Sequence, residues 1–582
     1  MENKPNDSRA DNLPPKATEF IRQVVREMGY HKKARQEVEA ELAAHFEDEL
    51  RNCTEAQEKE QKALQLIKEF GDAKLLAVLC RRGKKRCRPL WAKAMVRSLQ
   101  AVGVLVVVLS LYTVWFVNGK PSVTVDYLAL LNGLPNAEYR VWGPNQMSRP
   151  DVADPDNAWP HYRWALTLTI PDYDLQQIPA WQHPDYPEHW EFARLTEDTQ
   201  RAIVKWIEAN RQPWDQFVLA GSKPYLAKPY ECKSANKNGT LMTIRLPELW
   251  ALPNLSRVGI WSARLHMQQG RTGQALEDCL ALARAGRHWQ HCAAFVEQLV
   301  GSSLSRSAHE EILRMVACRE LSAAELSDWQ RKLAGAYPQG YPLADVRGEH
   351  LILLDVIQHL FTDRGLGGGH LIPSASATLL EEEGGQPKES ERPIVRVTRS
   401  MLHVGREETI ATVNRIFDRQ QLLLSPHEKR ARQVPMVKEI LQSLPAHRYA
   451  LVRVLVPDVD RVTESGFRGK ALHEATLTVL ALQRYRQEKG SYPATLDALK
   501  QAGYLDVLPA DLYSDQPLSY RITNGSFVLY SLGPDFHDDG GESGRGQDGR
   551  PRMWADKGDT VFWPVVGAND YSPVLELPAA RP

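Results

Sequence analysis

Cysteine is scarce in this chain: seven among 582 residues. No two stand in a CxxC spacing, which excludes a thiol redox motif and a zinc ribbon. An excess of charge is also missing. Lys plus Arg equals Asp plus Glu at 72 each, so no bulk attraction to nucleic acid is expected. Familiar catalytic signatures are absent too. Gly466 to Lys470 (GFRGK) lacks P-loop spacing, no GxSxG elbow occurs, and His309-Glu310-Glu311 lacks the second His of HExxH. His288, His291 and Cys292 are close in sequence but have no distant partner ligand. No clear second copy of the 261–288 segment follows at a 34-residue period. No catalytic and no cofactor-binding residues are therefore assigned, and the reading leans away from an enzyme.

Long hydrophobic runs are missing as well, with one exception. Ser98 to Val117 (SLQAVGVLVVVLSLYTVWFV) has no charged residue. At about 1.5 Å per residue, a helix of that length crosses a hydrocarbon core of about 30 Å. Tyr112 and Trp115 stand near its far end, where amphipathic rings favour the interface. Arg81 to Arg97 (RRGKKRCRPLWAKAMVR) precedes it, with eight Lys or Arg and no acid. The positive-inside rule then puts the N-terminus in the cytoplasm and everything after Asn118 outside, at the cell's inner (cytoplasmic) membrane. The same basic run suits anionic lipid head groups better than nucleic acid. Cys53, Cys80 and Cys87 fall inside and should be reduced. Cys232, Cys279, Cys292 and Cys318 fall outside, where disulfides are possible in any of three complete pairings.

The expected fold is mainly α with a small α+β C-terminal domain, in a multidomain single-pass membrane protein. Residues 1–15 read as a disordered tail, 16–80 as a helical bundle, 81–97 as a basic juxtamembrane segment and 98–117 as the span. Helices are expected at about 18–28, 31–52 and 56–70, with a fourth from Ala73. Residues 118–246 form an aromatic and Pro-rich mixed region, in which RWALTLTI (163–170) reads as a strand and 196–219 as one helix. The aromatics of 137–189 could line the groove of an extracytoplasmic hydrolase. Residues 247–363 and 393–464 are helical, joined by a Gly/Ser/Pro-rich linker at 364–392. An amphipathic helix at 470–487 opens the last region, 465–582. There PLSYRI and SFVLYSL read as a hairpin turning at Asn524-Gly525.

Three resemblances follow from particular residues. RQEVEAELAAHFEDEL at 35–50 and the helix ending in Gly71-Asp72 resemble the bacterial HAAS signalling domain, through Arg35, Glu37, Glu41, Leu42, His45, Gly71 and Asp72. That resemblance implies a helical interaction module with a cytoplasmic protein partner and no catalysis. His45 itself reads as a helix-surface residue beside Glu41 and Glu49. WSARLHMQQGRTGQALEDCLALARAGRH at 261–288 resembles a single tetratricopeptide hairpin, with Ala263, Gly270 and Ala275 at the small positions. The tail resembles the globular head of the type II secretion major pseudopilin. Matching residues are Tyr485, Gly490, Tyr492, Pro493, Leu508, Pro509, Asp511, Tyr520, Tyr530, Ser531, Leu532, Gly533 and Asp535. A pilin fuses its membrane segment to the head's own helix. Here the span lies far upstream, so pilus polymerisation is not expected.

The pseudopilin resemblance implies a calcium ion in the loop after YSLG. Asp535, Asp538, Asp539 and Asp559 are the expected ligands, with Asp556 nearby and Gly540 and Gly541 permitting tight turns. The spacing is not that of an EF-hand, because position twelve is Gly546 rather than Glu. As a whole, the sequence points to a non-catalytic protein that couples an extracytoplasmic binding or assembly domain to a cytoplasmic module. An extracytoplasmic hydrolase and an accessory component of a secretion machine are the alternatives. Neither the extracytoplasmic partner nor the cytoplasmic one is identified by the residues.

Overall fold

The computed structural model describes residues 13–86, 90–134, 154–171, 195–232, 240–375, 393–423, 436–514, 516–523, 525–546, 549 and 551–565. Most of the aromatic stretch 137–189, the end of the 364–392 linker and Asn524 lie outside the described residues. The chain divides into two compact units, 1–115 and 116–582.

In the first unit, four helices follow one another: α1 (Pro15–Glu27), α2 (Lys32–Leu50), α3 (Ala56–Phe70) and α4 (Ala73–Arg86). Each breaks where the sequence says it should. Gly29 and Gly71 take positive φ, which costs glycine nothing, and the Asp72 carboxylate accepts from the Lys74 amide to start α4. The apolar stripes meet in a core of Phe20, Ile21, Val24, Met28, Val38, Leu42 and Phe46. Phe70 closes it, with its ring 5.6 Å from Phe46 and 6.2 Å from Phe20. Lys84 of α4 reaches back to Glu41 (2.7 Å) and Glu37 (3.2 Å) of α2, and these bonds raise its pKa. This lysine of the basic run is thereby engaged within the bundle.

Helix α5 (Leu90–Val117) contains Ala94–Val117, which is long and apolar enough to cross a membrane. No other described helix meets that description. Val, Leu and aromatic side chains stand exposed all round it, from Leu99 to Trp115. A soluble helix would hide at least one such face.

The second unit, 116–582, is mainly helical. Its first helices are α6 (Tyr127–Gly133), α7 (Trp159–Leu168), α8 (Glu197–Ala209) and α9 (Arg211–Gly221). The strand expected at 163–170 is instead α7. Pro160 opens its first turn, and Tyr162, Ala165 and Leu166 are buried at helical spacing. The single helix expected at 196–219 is broken at Asn210. That buried amide bonds Ile170 and the Trp206 carbonyl and so joins α8, α9 and the end of α7.

Of helices α10 (Leu252–Gln268), α11 (Thr272–Gln290), α12 (Phe295–Cys318) and α13 (Ala323–Gly335), α11 packs against each of the other three. Gly270 makes the α10–α11 turn at φ +74°. A close helix approach lies elsewhere, at Gly286 on α11 against Gly301 on α12. A Cβ on Gly301 would stand 2.7 Å from the Gly286 carbonyl oxygen. Helices α14 (Arg347–Leu360), α15 (Pro393–Leu402), α16 (Arg406–Leu423), α17 (Val437–Ser443) and α18 (Ala450–Leu455) follow. Several of them share a second core around Val356, Phe361, Phe417 and Val459.

Helix α19 (Val459–Lys489) starts well before the expected 470 and ends at Gly490, a left-handed C-cap at φ +80°. The short α20 (Leu496–Gln501) leads to a three-stranded antiparallel sheet. Its strands are β1 (Ser519–Thr523), β2 (Ser526–Ser531) and β3 (Thr560–Trp563), in order β1-β2-β3. The hairpin register runs from Thr523 opposite Ser526 to Ser519 opposite Tyr530. Phe527, Leu529 and Phe562 of the sheet join the same core as Trp261, Trp289 and Trp329 of the helical body. The C-terminal α+β part and the helical body therefore share one core. Cys232, Cys279, Cys292 and Cys318 are all free thiols.

Candidate functional site

The acidic loop after β2 is the site the sequence singles out. Gly533, Gly540, Gly541 and Gly558 all take positive φ, so the chain folds back tightly enough to bring 535–545 against 556–560. Asp559 is the buried member, only 1% exposed. Its Oδ2 accepts from the Gly541 amide at 2.6 Å, while its Oδ1 has no hydrogen-bond partner. Burial pushes its carboxyl up to about 6, and the charges of Asp538 and Asp539 add to that against hydrogen bonds from the backbone.

The other three carboxylates have protein partners. Asp535 accepts from the amides of His537 (3.2 Å) and Gly558 (2.9 Å). Asp538 accepts from Tyr530 (3.0 Å) and the Gly540 amide (2.9 Å), and Asp539 lies 3.2 Å from His537 Nδ1. Donor chemistry here suits a hard cation, and Asp559 Oδ1 is an oxygen in want of one. Yet among the described residues no three His, Cys, Asp or Glu converge as a ligand set. The four aspartates thus share one loop without forming a ready-made cage.

Other motif residues of the tail do meet. Asp511 is wholly buried and accepts from Ser531 Oγ (2.6 Å) and from the amides of Leu532 and Tyr513 (both 3.1 Å). Tyr520 donates to the Pro493 carbonyl at 2.8 Å. These contacts pin the loops on either side of the sheet. They position backbone.

Two buried polar clusters escaped sequence reasoning. In the first, Lys228 Nζ pairs with Glu248 and, at 2.5 Å, with Glu297. Tyr230 donates to Glu297 (2.7 Å) and accepts from the Ala293 amide (2.8 Å). Trp159, Tyr230 and Trp289 surround the ammonium within 5.8 Å. Burial raises the Glu297 pKa against the pull of Lys228. For Lys228, burial works downward, but the carboxylates outweigh it and the pKa is raised. All three charged side chains are almost fully withdrawn from solvent, so the arrangement holds α11, α12 and the 223–250 segment together.

The second cluster joins α12 to α19. His309 Nε2 lies 2.9 Å from His473 Nδ1, and His309 Nδ1 lies 2.6 Å from the Ser305 carbonyl. That carbonyl can only accept, so His309 carries its proton on Nδ1 and His473 donates across the pair. The rings of Tyr337 and Tyr341 pack around them in tilted and edge-on contacts. Burial pushes His309 down to about 4 and His473 well below its ordinary value, with His309 adding to the latter. His288, expected as a weak metal candidate, is instead held by Tyr162 (3.0 Å) and the Lys223 carbonyl (3.0 Å). No signal in a single sequence marks these clusters, because their members are scattered along the chain. No family model, curated protein or solved structure matches this chain.

Proposed function

We propose that this chain is a non-catalytic, single-pass membrane protein. Its N-terminal bundle is a HAAS-like interaction module in the cytoplasm, and residues 118–582 form an extracytoplasmic binding or assembly domain with a pseudopilin-like tail. One observation carries the reading. The chain has one described helix long and apolar enough to cross a membrane, with side chains exposed all round, and the residues before and after it in sequence build separate cores. An exposed apolar ring is costly in water and favourable in lipid. The basic run at 81–97 supports N-in orientation. Calcium is proposed for the acidic loop, on the strength of the orphaned Asp559 Oδ1.

The test is a pair of reporter fusions. A reporter active only outside the cytoplasm, fused after Pro582, is expected to be active, and a cytoplasm-only reporter fused before Met1 likewise. The reverse pattern sinks the topology. Native capture on the full chain, followed by mass spectrometry, then separates a regulatory role from a secretion role. Partners cross-linking to the bundle are expected to be regulators. Recovery of secretion-machine subunits alone would favour the accessory-component reading.

A further inference from the structure

Helix α15 (Pro393–Leu402) presents its apolar face outward. Ile394 is 71% exposed, Leu402 52%, Met401 44% and Val395 43%. Thr398 is exposed among them. At 100° per residue, positions 394, 395, 398, 401 and 402 fall within one third of the helix circumference. Arg399 borders that stripe and Arg396 lies beyond it, while Ser400 is buried on the opposite side. The helix is thus amphipathic in the sense opposite to a core helix.

The surroundings of α15 say what covers this face. Its C-terminal end runs into a junction that holds residues 116–125, where the chain leaves the apolar helix. The Phe116 ring stacks on His370 at 4.1 Å, and His370 Nε2 donates to the Phe116 carbonyl at 2.9 Å. Gly119 is packed so tightly that a Cβ there would stand 2.7 Å from Thr362. Ser122 donates to Asp363, and Gln358 brackets the backbone of Thr124 and Val125. Arg406 closes the junction, with its amide on the Gly369 carbonyl (3.1 Å) and its guanidinium on the Ser122 carbonyl (3.4 Å). Arg406 is four residues beyond Leu402, and four residues span at most about 14 Å. Val123, Val125 and Leu130 are also exposed beside this exit, at 50%, 39% and 49%.

We propose that α15 is an interfacial helix. It lies in the leaflet from which the span emerges, with Ile394, Val395, Met401 and Leu402 among the acyl chains. A short helix with an apolar face and flanking arginine, fixed beside a membrane exit, suits the interface plane. Its occupant is phospholipid, and its role is to anchor residues 116–582 to the bilayer surface. The inference rests on the reading that Ala94–Val117 spans a membrane.

The experiment keeps the two apart. The full chain is reconstituted in phosphatidylcholine–phosphatidylglycerol vesicles, with a nitroxide on a non-natural amino acid at position 107, 394 or 500 in turn. Collision of each label with oxygen, which concentrates in lipid, is compared with collision with a water-soluble nickel chelate. Position 107 should favour oxygen strongly and position 500, exposed in the C-terminal part, should favour nickel. Position 394 should favour oxygen to an intermediate degree. Met401→Glu with Leu402→Glu should abolish the oxygen preference at 394 and leave that at 107 unchanged. Oxygen preference at 107 with nickel preference at 394 would put α15 in water and overturn the inference while the span stands. A label at 394 shielded from both reagents would place a protein surface, such as a second copy, on this face and overturn it as well. Nickel preference at 107 would remove the span, and the inference with it.

Discussion

At the scale of single residues, Lys228 and Asp559 are the informative ones, for opposite reasons. Lys228 is a buried cation held by two buried carboxylates and a ring of aromatic faces. Removing one partner of such a pair leaves uncompensated charge, which typically costs about 3–5 kcal/mol. Lys228→Met is therefore expected to lower stability to urea by that amount. Adding Glu248→Gln and Glu297→Gln should restore much of it, because the charges that needed Lys228 are gone. A single variant as stable as the unmodified chain would show that water reaches the cluster. Asp559 has the reverse problem: a carboxylate oxygen with no donor and two aspartates nearby. A divalent cation would relieve it, and binding to the folded state alone raises stability with the logarithm of concentration over Kd. The full chain should melt higher in millimolar calcium than in chelator, with magnesium helping less. Asp559→Asn should erase the difference. Equal melting in calcium and chelator would leave the loop a hydrogen-bonded acidic turn.

Between elements, the joints are made by small residues and by one histidine pair. Gly301 stands against the backbone of α11, with Gln290 N 2.6 Å and the Gly286 oxygen 2.7 Å from a would-be Cβ. Backbone cannot yield as a flexible side chain does, so Gly301→Ala should cost at least about 1–3 kcal/mol by forcing the helices apart. Gly273→Ala, which meets nothing within 4 Å, should be neutral or slightly stabilising in the same denaturation series. The His309–His473 contact between α12 and α19 adds a pH dependence. Both imidazoles are neutral in the fold, whereas the unfolded chain takes up protons near 6.5. With the folded values depressed, His309 to about 4, stability is full above about pH 6.5 and falls as pH drops toward 4. The slope is about 1.4 kcal/mol per pH unit for each excluded proton. Urea midpoints between pH 7.5 and 5 should show it, and His473→Gln should flatten it. An unchanged slope in that variant would assign the acid sensitivity elsewhere. These joints also mark the limit of what the sequence reveals. Helix ends were legible where Gly29, Gly71 and Gly490 supply the breaking conformation, and Gly525 likewise marks the hairpin. The segment at α7 reads as a strand because aromatic and β-branched residues suit strands, whereas in the fold Pro160 opens a helix that buries Tyr162, Ala165 and Leu166. Of the acidic loop, the glycines and carboxylates are legible, but not that Asp559 alone is buried with one of its oxygens unbonded. Lys228, His309 and Gly301 meet partners far along the chain, and no local pattern announces such contacts.

Across the whole molecule, the N-terminal bundle and the C-terminal α+β part differ in how far they can stand alone. Residues 13–86 close their own core: every member of that cluster, from Leu13 to Cys80, belongs to the four helices or their flanks. The C-terminal α+β part resembles a detachable head in sequence, yet its helix α19 contributes Phe467, Leu472 and Val479 to a core that also holds Trp261, Trp289 and Trp329. Cutting before residue 465 would strip α12 and α13 from that face and expose His473 together with a row of aliphatic side chains. A fragment of 13–86 is therefore expected to be helical by circular dichroism and to unfold cooperatively in urea. Phe46→Ala, which empties its centre at a typical cost of about 3–5 kcal/mol, should leave so small a domain largely unfolded. A fragment of 465–582 should lack a cooperative transition and bind hydrophobic dyes, whereas residues 118–582 should melt as one unit. A random-coil spectrum for 13–86 would remove the case for an autonomous bundle. A sharp transition in 465–582 would show that the sheet needs only its own helix, and that the shared core with α12 and α13 is an accessory of the fold rather than a condition for it.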